Sequence, residues 1–211
     1  KMASMIIHIC ISNMVKEELN LSDKFLAGSI MPDLKKMAGF DRGITHYLKY
    51  VVEDGNVMHL PDLDKFIQEN TFKLLDFKTL GTYAHLIEDK IWFEKFVAKY
   101  IKWHDEDLGL VTNLKTGKVY DFDTFSKQIY SDYLNVNKKV ISKYNLDVDK
   151  IANNIREALA DDVLIKCFDS YISTLNNKSD SSRINFLTDE DLEEYITMST
   201  KEVVKRINEL R

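Results

Sequence analysis

The amino-acid sequence predicts an all-α fold, in which several helices form a single domain that spans residues 1 to 211. Helix-breaking residues are scarce, because the 211 residues include only two prolines and seven glycines. Leu, Ile, Lys and Glu recur at spacings of three and four residues, which is the period of an amphipathic helix. A chain of this length buries enough apolar surface to fold without disulfide bonds. One small β-hairpin is expected around Gly117, where turn residues separate two short runs of strand-forming residues.

The first helix is predicted to begin after Ser4, whose hydroxyl can cap it, and to end at about Leu19. His8 falls on an apolar side of this helix, so its side chain is expected to point inward. A histidine in such a place is either a hydrogen-bonded core residue or a ligand. Its position in the sequence leaves both interpretations open.

A short helix capped by Ser22 follows, and it is expected to stop before Pro32, because the residue before a proline is disfavoured in helical geometry. Asp33 is then predicted to lie on a turn at a helix end, where Pro-Asp is also ordinary turn chemistry. Residues 34 to 44 are expected to form a loop that leads to His46.

A long helix is predicted over residues 79 to 103, and it carries the most informative pair of side chains. His85 and Asp89 are four residues apart, so they lie on one helix face, close enough to hold a single ion. Aspartate is a poor helix former, and its burial without a partner is unfavourable, so a bound cation would explain Asp89. The same pair is also compatible with a surface arrangement in which Asp89 faces Lys90 or Lys95.

The remaining helices are predicted at residues 122 to 144, 148 to 172 and 188 to 210, and another is expected to begin with Pro61 in its first turn. The last helix starts at Thr188 and has acidic residues in its first turn. Residues 176 to 182 form a polar, serine-rich, linker-like stretch that is too short to divide domains.

Composition excludes several classes of function. The formal net charge is −5 with both signs interspersed, which argues against a nucleic-acid partner. No stretch is long and apolar enough to be a transmembrane segment. Cys10 and Cys167 lie in apolar surroundings, so they indicate a reducing compartment and a cytoplasmic location is expected. A signal peptide removed before residue 1 would leave no trace in this sequence.

Three imidazoles and two carboxylates are the candidate metal ligands. They belong to His8, Asp33, His46, His85 and Asp89. Imidazole nitrogen and carboxylate oxygen together suit zinc and also iron or manganese. The set contains no cysteine, which disfavours a closed structural zinc site and favours a catalytic one.

These ligands lie in four segments with the sequences MIIH, LAGSIMPD, ITHY and YAHLIED, at residues 5 to 8, 26 to 33, 44 to 47 and 83 to 89. The order of the segments resembles the zinc-dependent phospholipase C family, and in particular the small bacterial hydrolases grouped with it. The resemblance covers roughly residues 3 to 96. It implies the helical fold shared by phospholipase C and related nucleases.

The resemblance also implies a division of the ligands. Asp33, His46, His85 and Asp89 would bind one zinc ion, and His8 would serve a neighbouring zinc together with Asp89 as a bridge. The family has a further His-x-x-x-Glu pair for another zinc, and this chain has no such pair after Asp89. One or two ions are therefore expected.

The implied function is hydrolysis of a phosphate ester, in a small phosphorylated or phospholipid-like substrate, with a metal-activated water as the nucleophile. Asp33 is the candidate catalytic residue, because it can hold the ion with one oxygen and orient the water with the other. One alternative is a phosphohydrolase of the His-Asp dyad type, in which His104-Asp105 bind metal with an upstream histidine and a downstream aspartate such as Asp161 or Asp162. Another is a non-catalytic relative that keeps a metal for structure, or none.

Overall fold

The computed structural model describes residues 4–104, 109–176 and 188–211. Over these ranges the protein is mainly helical and has two small antiparallel sheets. The helices are α1 (Met5–Leu19), α2 (Lys24–Ser29), α3 (Met31–Met37), α4 (Arg42–Thr45), α5 (Leu63–Asn70), α6 (Phe77–Ile91), α7 (Phe122–Lys143), α8 (Val148–Leu159), α9 (Asp162–Thr174) and α10 (Asp189–Leu210). The strands are β1 (Leu48–Glu53), β2 (Asn56–Pro61), β3 (Ile101–Trp103), β4 (Leu110–Asn113) and β5 (Val119–Asp121).

Helix α1 is the central helix of the fold. The Ser4 hydroxyl accepts a hydrogen bond from the amide of Ile7, and the helix ends at Leu19, so both predicted ends are confirmed. Every residue from Met5 to Ser12 is buried, so the first two turns contact the core on all sides. The inward orientation predicted for His8 is therefore correct.

Helices α2 and α6 cross with their backbones in contact. A Cβ atom added to Gly28 would overlap the backbone of Lys78, and one added to Gly81 would overlap the backbone of Phe25. Only glycine permits so close an approach. The crossing places Ser29, the last residue of α2, against the middle of α6.

The segment after α2 differs from the prediction. Pro32 does not end a helix. Helix α2 already ends before Ile30, and Pro32 lies in the first turn of α3. Proline is tolerated there because the backbone N–H groups of the first turn have no partner within the helix. Asp33 therefore lies in the first turn of a helix and not on a turn. Residues 34 to 44, predicted as a loop, include the rest of α3 and the start of α4.

The long helix predicted over residues 79 to 103 is shorter in the structure. Helix α6 ends at Ile91 and continues as a π-helical turn over Trp92–Phe96 and a 3₁₀ turn over Val97–Lys99, and β3 follows. Trp92 and Phe96 both pack against Tyr195 of α10. The ring centroid of Tyr195 is 4.8 Å from that of Trp92 and 5.3 Å from that of Phe96. The π-helical turn therefore carries both aromatic rings into the core.

Strands β1 and β2 form a hairpin that was not predicted. Asp54 and Gly55 connect them with positive φ angles of 50° and 68°, the conformation of a tight Asp-Gly hairpin turn. Pro61, predicted to begin a helix, is the last residue of β2, and Asp62 caps α5 in its place.

The hairpin predicted around Gly117 is confirmed. Strands β4 and β5 pair on either side of it, and β3 adds a third antiparallel strand. The protein is thus mainly helical and not all-α.

The C-terminal half is helical, as predicted, with one correction. The helix expected over residues 148 to 172 is two helices, because Ala160 adopts a left-handed conformation with φ 53° and Asp161 caps α9. The predicted start of α10 at Thr188 is confirmed, and Thr188 and Asp191 form a capping box there. Most of the linker-like stretch, from residue 177 onward, lies outside the described residues. Within the described ranges, none of the helices has the length and apolar character needed to cross a membrane.

Asp191 joins the start of α10 to the segment before β3. Its carboxylate accepts hydrogen bonds from the Tyr100 hydroxyl, from Lys99 Nζ at 3.2 Å and from the Thr188 hydroxyl at 2.9 Å. Burial alone would raise the pKa of Asp191, but hydrogen bonds from Tyr100, Thr188 and Lys99 outweigh it and lower the pKa.

We expect Asp191→Asn to lower the free energy of unfolding by about 1–2 kcal/mol at pH 7. Because the pKa is lower in the folded protein, the stabilisation is fully present above the unfolded pKa of about 3.9 and is lost as the pH falls through the folded pKa. Urea unfolding at pH 7 and at acidic pH measures both effects. The exposed neighbour Glu190 is the control, since Glu190→Gln is expected to change stability by less than about 0.5 kcal/mol. A difference between Asp191→Asn and wild type that grows towards acidic pH would contradict this account.

Candidate metal centre

The five predicted ligands lie together at the centre of the helical core. His8 comes from α1, Asp33 from α3, His46 directly follows α4, and His85 and Asp89 come from α6. His8, His46, His85 and Asp89 are 0% exposed, whereas the Asp33 side chain is 14% exposed. The structure therefore brings together all the residues that the sequence selected.

The ligand atoms form two overlapping groups of three. One group contains His8, His85 and Asp89, the other contains Asp33, His46 and His85, and the atoms of each lie within 4.8 Å of one another. The Nε2 atoms of His8 and His85 are each 3.5 Å from an Asp89 carboxylate oxygen. His46 Nε2 is 3.5 Å from Asp33 Oδ1. His85 is thus the residue common to both groups.

Five of these atoms are buried and have no hydrogen-bond partner among the described residues. They are the Nε2 atoms of His8, His46 and His85 and both carboxylate oxygens of Asp89. Leaving such atoms unpartnered is unfavourable, so their convergence calls for an additional group. Two ligands about 2.1 Å from a tetrahedral ion lie ~3.4 Å apart, close to the 3.5 Å separations in this cluster. The donor set therefore fits a bound cation.

The opposite ring nitrogens of His85 and His8 are held by acceptors. His85 Nδ1 is 2.7 Å from the Ser29 carbonyl oxygen, and His8 Nδ1 is 2.5 Å from a Glu88 carboxylate oxygen. A carbonyl and a carboxylate can only accept, so each Nδ1 carries the proton of the bond. In the neutral tautomers the lone pair is then on Nε2, which faces the cluster.

His46 is fixed by a neighbouring hydroxyl. His46 Nδ1 is 2.8 Å from the Thr45 hydroxyl, and in the tautomer that carries its proton on Nδ1 this hydroxyl accepts the bond and donates to the Arg42 carbonyl oxygen at 3.3 Å. The Nε2 lone pair of His46 therefore points to the cluster as well. All three imidazoles are oriented before any ion binds.

Glu88 is the functional residue that the sequence analysis missed. It is 0% exposed, holds His8 through one oxygen and lies 3.5 Å from the Ser12 hydroxyl through the other. Tyr195 also donates to the Glu88 backbone carbonyl at 3.1 Å. The spacing was informative, because Glu88 follows His85 by three residues and so shares its helix face.

The carboxylates give the cluster a strong affinity for positive charge. Burial alone would lower the pKa of His8, but Asp89 and Glu88 outweigh it and raise that pKa to about 10. Without a metal this imidazole therefore carries a second proton at neutral pH, and a cation bound through Nε2 would displace that proton. Burial alone would raise the pKa of Asp89, but His85 and His8 hold it well below its ordinary value. Asp89 thus remains a carboxylate in the core, available to a cation.

Asp33 connects the cluster to a cavity of about 420 Å³. The walls of this cavity include Ser4, Lys36, Tyr133 and Tyr171, from the start of α1 and from α3, α7 and α9. Because the other four candidate ligands are completely buried, this cavity is a side from which a small molecule can reach the cluster in the described part of the chain.

The two other histidines lie elsewhere. His59 is on β2, with its ring 6.0 Å from that of Tyr50, and His104 follows β3 and hydrogen bonds to the Thr112 hydroxyl. Neither belongs to a group of metal-ligating side chains in the described part of the chain. Asp105, the other half of the dyad in the alternative hypothesis, lies outside the described residues.

No family model matches the chain, and no curated protein or solved structure matches it. A functional assignment therefore depends on the arrangement of these side chains.

The backbone contact between α2 and α6 generates a prediction. We expect Gly81→Ala to force the two helices apart and weaken the bond from His85 to Ser29. The free energy of unfolding should fall by about 1–3 kcal/mol, although alanine is the better helix former. Zinc affinity should fall about tenfold, because the orientation of His85 is no longer fixed. Urea unfolding and chelator competition measure the two effects.

Gly117 provides the control for this variant. It has φ 70° in a hairpin turn, and an added Cβ would meet no atom within 4 Å. Gly117→Ala should therefore lower stability by about 1 kcal/mol through backbone strain and leave zinc affinity unchanged. A Gly81→Ala variant with wild-type stability and zinc affinity would contradict the role assigned to the crossing.

Glu88 generates a second prediction. Glu88→Gln keeps an oxygen near His8 but removes the charge, so zinc affinity should fall by about 10-fold or more. Chelator competition measures the affinity. Glu94→Gln is the matched control, because Glu94 follows α6 and pairs with Lys90 near the surface. Equal affinities in the two variants would show that Glu88 does not support the ligand His8.

Proposed function

We propose that the protein is a metal-dependent hydrolase of a phosphate ester, with one or two zinc ions bound by His8, Asp33, His46, His85 and Asp89. The observation that carries the proposal is the convergence of five buried ligand atoms with no hydrogen-bond partner among the described residues. Imidazole and carboxylate donors suit zinc, and iron or manganese is compatible with the same set.

The chemistry of the donors suggests how two ions would share them. A neutral imidazole has one lone pair, so His85 can ligate only one ion at a time, although it belongs to both groups. Asp89 has two carboxylate oxygens, one near His8 and the other near His85. Asp89 is therefore the group suited to a bridge, as the resemblance to the phospholipase C family implies.

A zinc ion bound at this centre supplies a Lewis acid and lowers the pKa of its water to about 7. Asp33 is the ligand that borders the cavity, so it is placed to orient a water towards a substrate. We assign Asp33 this catalytic role. His8, His46 and His85 keep their orientation through their Nδ1 hydrogen bonds, so the ligand atoms need little rearrangement.

Substrate class and family membership are part of the same proposal. The order of the ligands along the chain, and the mainly helical fold that unites them, support a relationship to the zinc-dependent phospholipase C family. A cavity of about 420 Å³ suits a small phosphorylated or phospholipid-like substrate. The cytoplasmic location expected from the two cysteines, and the argument from net charge against nucleic acid, remain predictions.

Elemental analysis tests the metal site. We expect protein purified without added metal to contain one or two zinc ions per chain, and His85→Ala to lose most of that metal, because His85 belongs to both groups. His59→Ala is the control and should retain it. Activity on chromogenic phosphate mono- and diesters should disappear after chelation, return with zinc, and fall by at least about 100-fold in His85→Ala.

Other outcomes separate the alternatives. Zinc present without turnover on either class of ester would favour a relative that keeps the metal for structure. Loss of metal in His104→Ala and not in His85→Ala would favour the dyad-type phosphohydrolase. A wild-type chain that takes up no zinc, iron or manganese would refute the proposal.

A further inference from the structure

Lys36 lies beside the metal centre and faces the same cavity. It follows Asp33 by three residues on α3, so the two side chains share a helix face, and both line the cavity. Lys36 is partly buried, and no described carboxylate forms an ion pair with it. A half-buried ammonium without a carboxylate partner is unfavourable unless another anion is present.

Arg42 is a second cation of the same kind. It is the first residue of α4, four residues before His46, and its guanidinium lies 5.8 Å from the centre of the Phe93 ring. Its Nε and Nη2 atoms are buried and have no hydrogen-bond partner among the described residues. Buried guanidinium nitrogens are normally hydrogen bonded, so these two donors lack an acceptor.

The two cations influence each other and the metal centre. Burial lowers the pKa of Lys36, and the charge of Arg42 lowers it further, whereas Asp33 and Asp89 partly oppose the shift. Lys36 is thus within electrostatic range of Arg42 and of two candidate metal ligands. The chain has 34 acidic residues against 29 basic ones, so acidic partners are not scarce, yet neither cation has one among the described residues.

A candidate metal ligand and a cation lie close together in the sequence on both α3 and α4. Helix α3 provides the ligand Asp33 and the cation Lys36, and α4 with the residue after it provides the cation Arg42 and the ligand His46. Each of these two short helices therefore holds one metal ligand and one cation about a turn apart. An anion that contacts the metal centre from the cavity would meet Lys36, which lines the cavity, and Arg42 is within electrostatic range of Lys36.

We propose that Lys36 and Arg42 form an anion-binding subsite that holds the phosphoryl oxygens of the substrate next to the metal centre. The planar guanidinium can bind two oxygens of one tetrahedral oxyanion, and the ammonium adds a point charge. The subsite selects esters whose phosphoryl group carries negative charge over neutral esters. This inference rests on the proposed function for the identity of the anion as part of a substrate.

Binding of inorganic phosphate to the full-length, zinc-loaded protein tests the subsite. We expect the Kd for phosphate, measured by titration calorimetry, to increase about tenfold or more in Lys36→Met and in Arg42→Gln. Lys35→Met is the matched control, because Lys35 is exposed on the same helix, and its Kd should stay within about twofold of wild type. Arg42→Lys keeps the charge and loses the planar fork, so its Kd should lie between those of wild type and Arg42→Gln.

Zinc content and thermal unfolding are measured in every variant, and the titration is repeated after chelation. Zinc-loaded variants that bind phosphate as tightly as Lys35→Met would overturn the subsite and leave the proposed metal centre intact. Phosphate binding that depends on Lys36 and Arg42 in a chain without affinity for metal would support the subsite and overturn the proposed hydrolase. A wild-type chain that binds no phosphate, with or without zinc, would overturn the subsite.

Discussion

The structure depends on one constraint, which is that a carboxylate and three imidazoles share a space without solvent-exposed surface. His8, His46, His85 and Asp89 have no exposed surface, yet the atoms that face one another approach only to 3.5 Å and have no hydrogen-bond partner in the described residues. The surrounding helices satisfy only the outer nitrogen of each imidazole. Each imidazole is thus held by a hydrogen bond at Nδ1, while its Nε2 atom in the cluster has no hydrogen-bond partner among the described residues. This is the arrangement expected of metal ligands and not of ordinary core residues.

The architecture can be understood as a way to meet that constraint. Helix α1 is buried around its first two turns, so His8 reaches the centre surrounded by apolar side chains. The glycine contact between α2 and α6 brings a backbone carbonyl to His85, and Glu88 provides a carboxylate to His8. Because the outer partners come from different elements, the site forms only when α1, α2, α4 and α6 have packed together. Folding and ligand orientation are therefore coupled.

The sequence was sufficient to select five candidate ligands that converge in the structure and to predict most helices, because helical spacing and capping act locally. His85 and Asp89 share a face because residues four apart do so in any α-helix. Ser4 and Thr188 cap their helices by hydrogen bonds to residues three positions along the chain. Other features depend on packing that no local pattern contains. The π-helical turn after α6 accompanies aromatic packing against Tyr195, and the partner of His8 became clear only when Glu88 was placed in the core. The turn predicted for Asp33 was wrong because proline, here Pro32, is also favoured in the first turn of a helix.

The uneven exposure of the ligands has a kinetic consequence. Four of them are sealed in the core, and only Asp33, on the seven-residue helix α3, borders the cavity. Among the described residues, that side offers an ion held there its route to the solvent. Its residence time would then be governed by local opening of one short helix, at a free energy below that of global unfolding. The rates of metal uptake and release would then depend on how often α3 opens while the rest of the molecule stays folded.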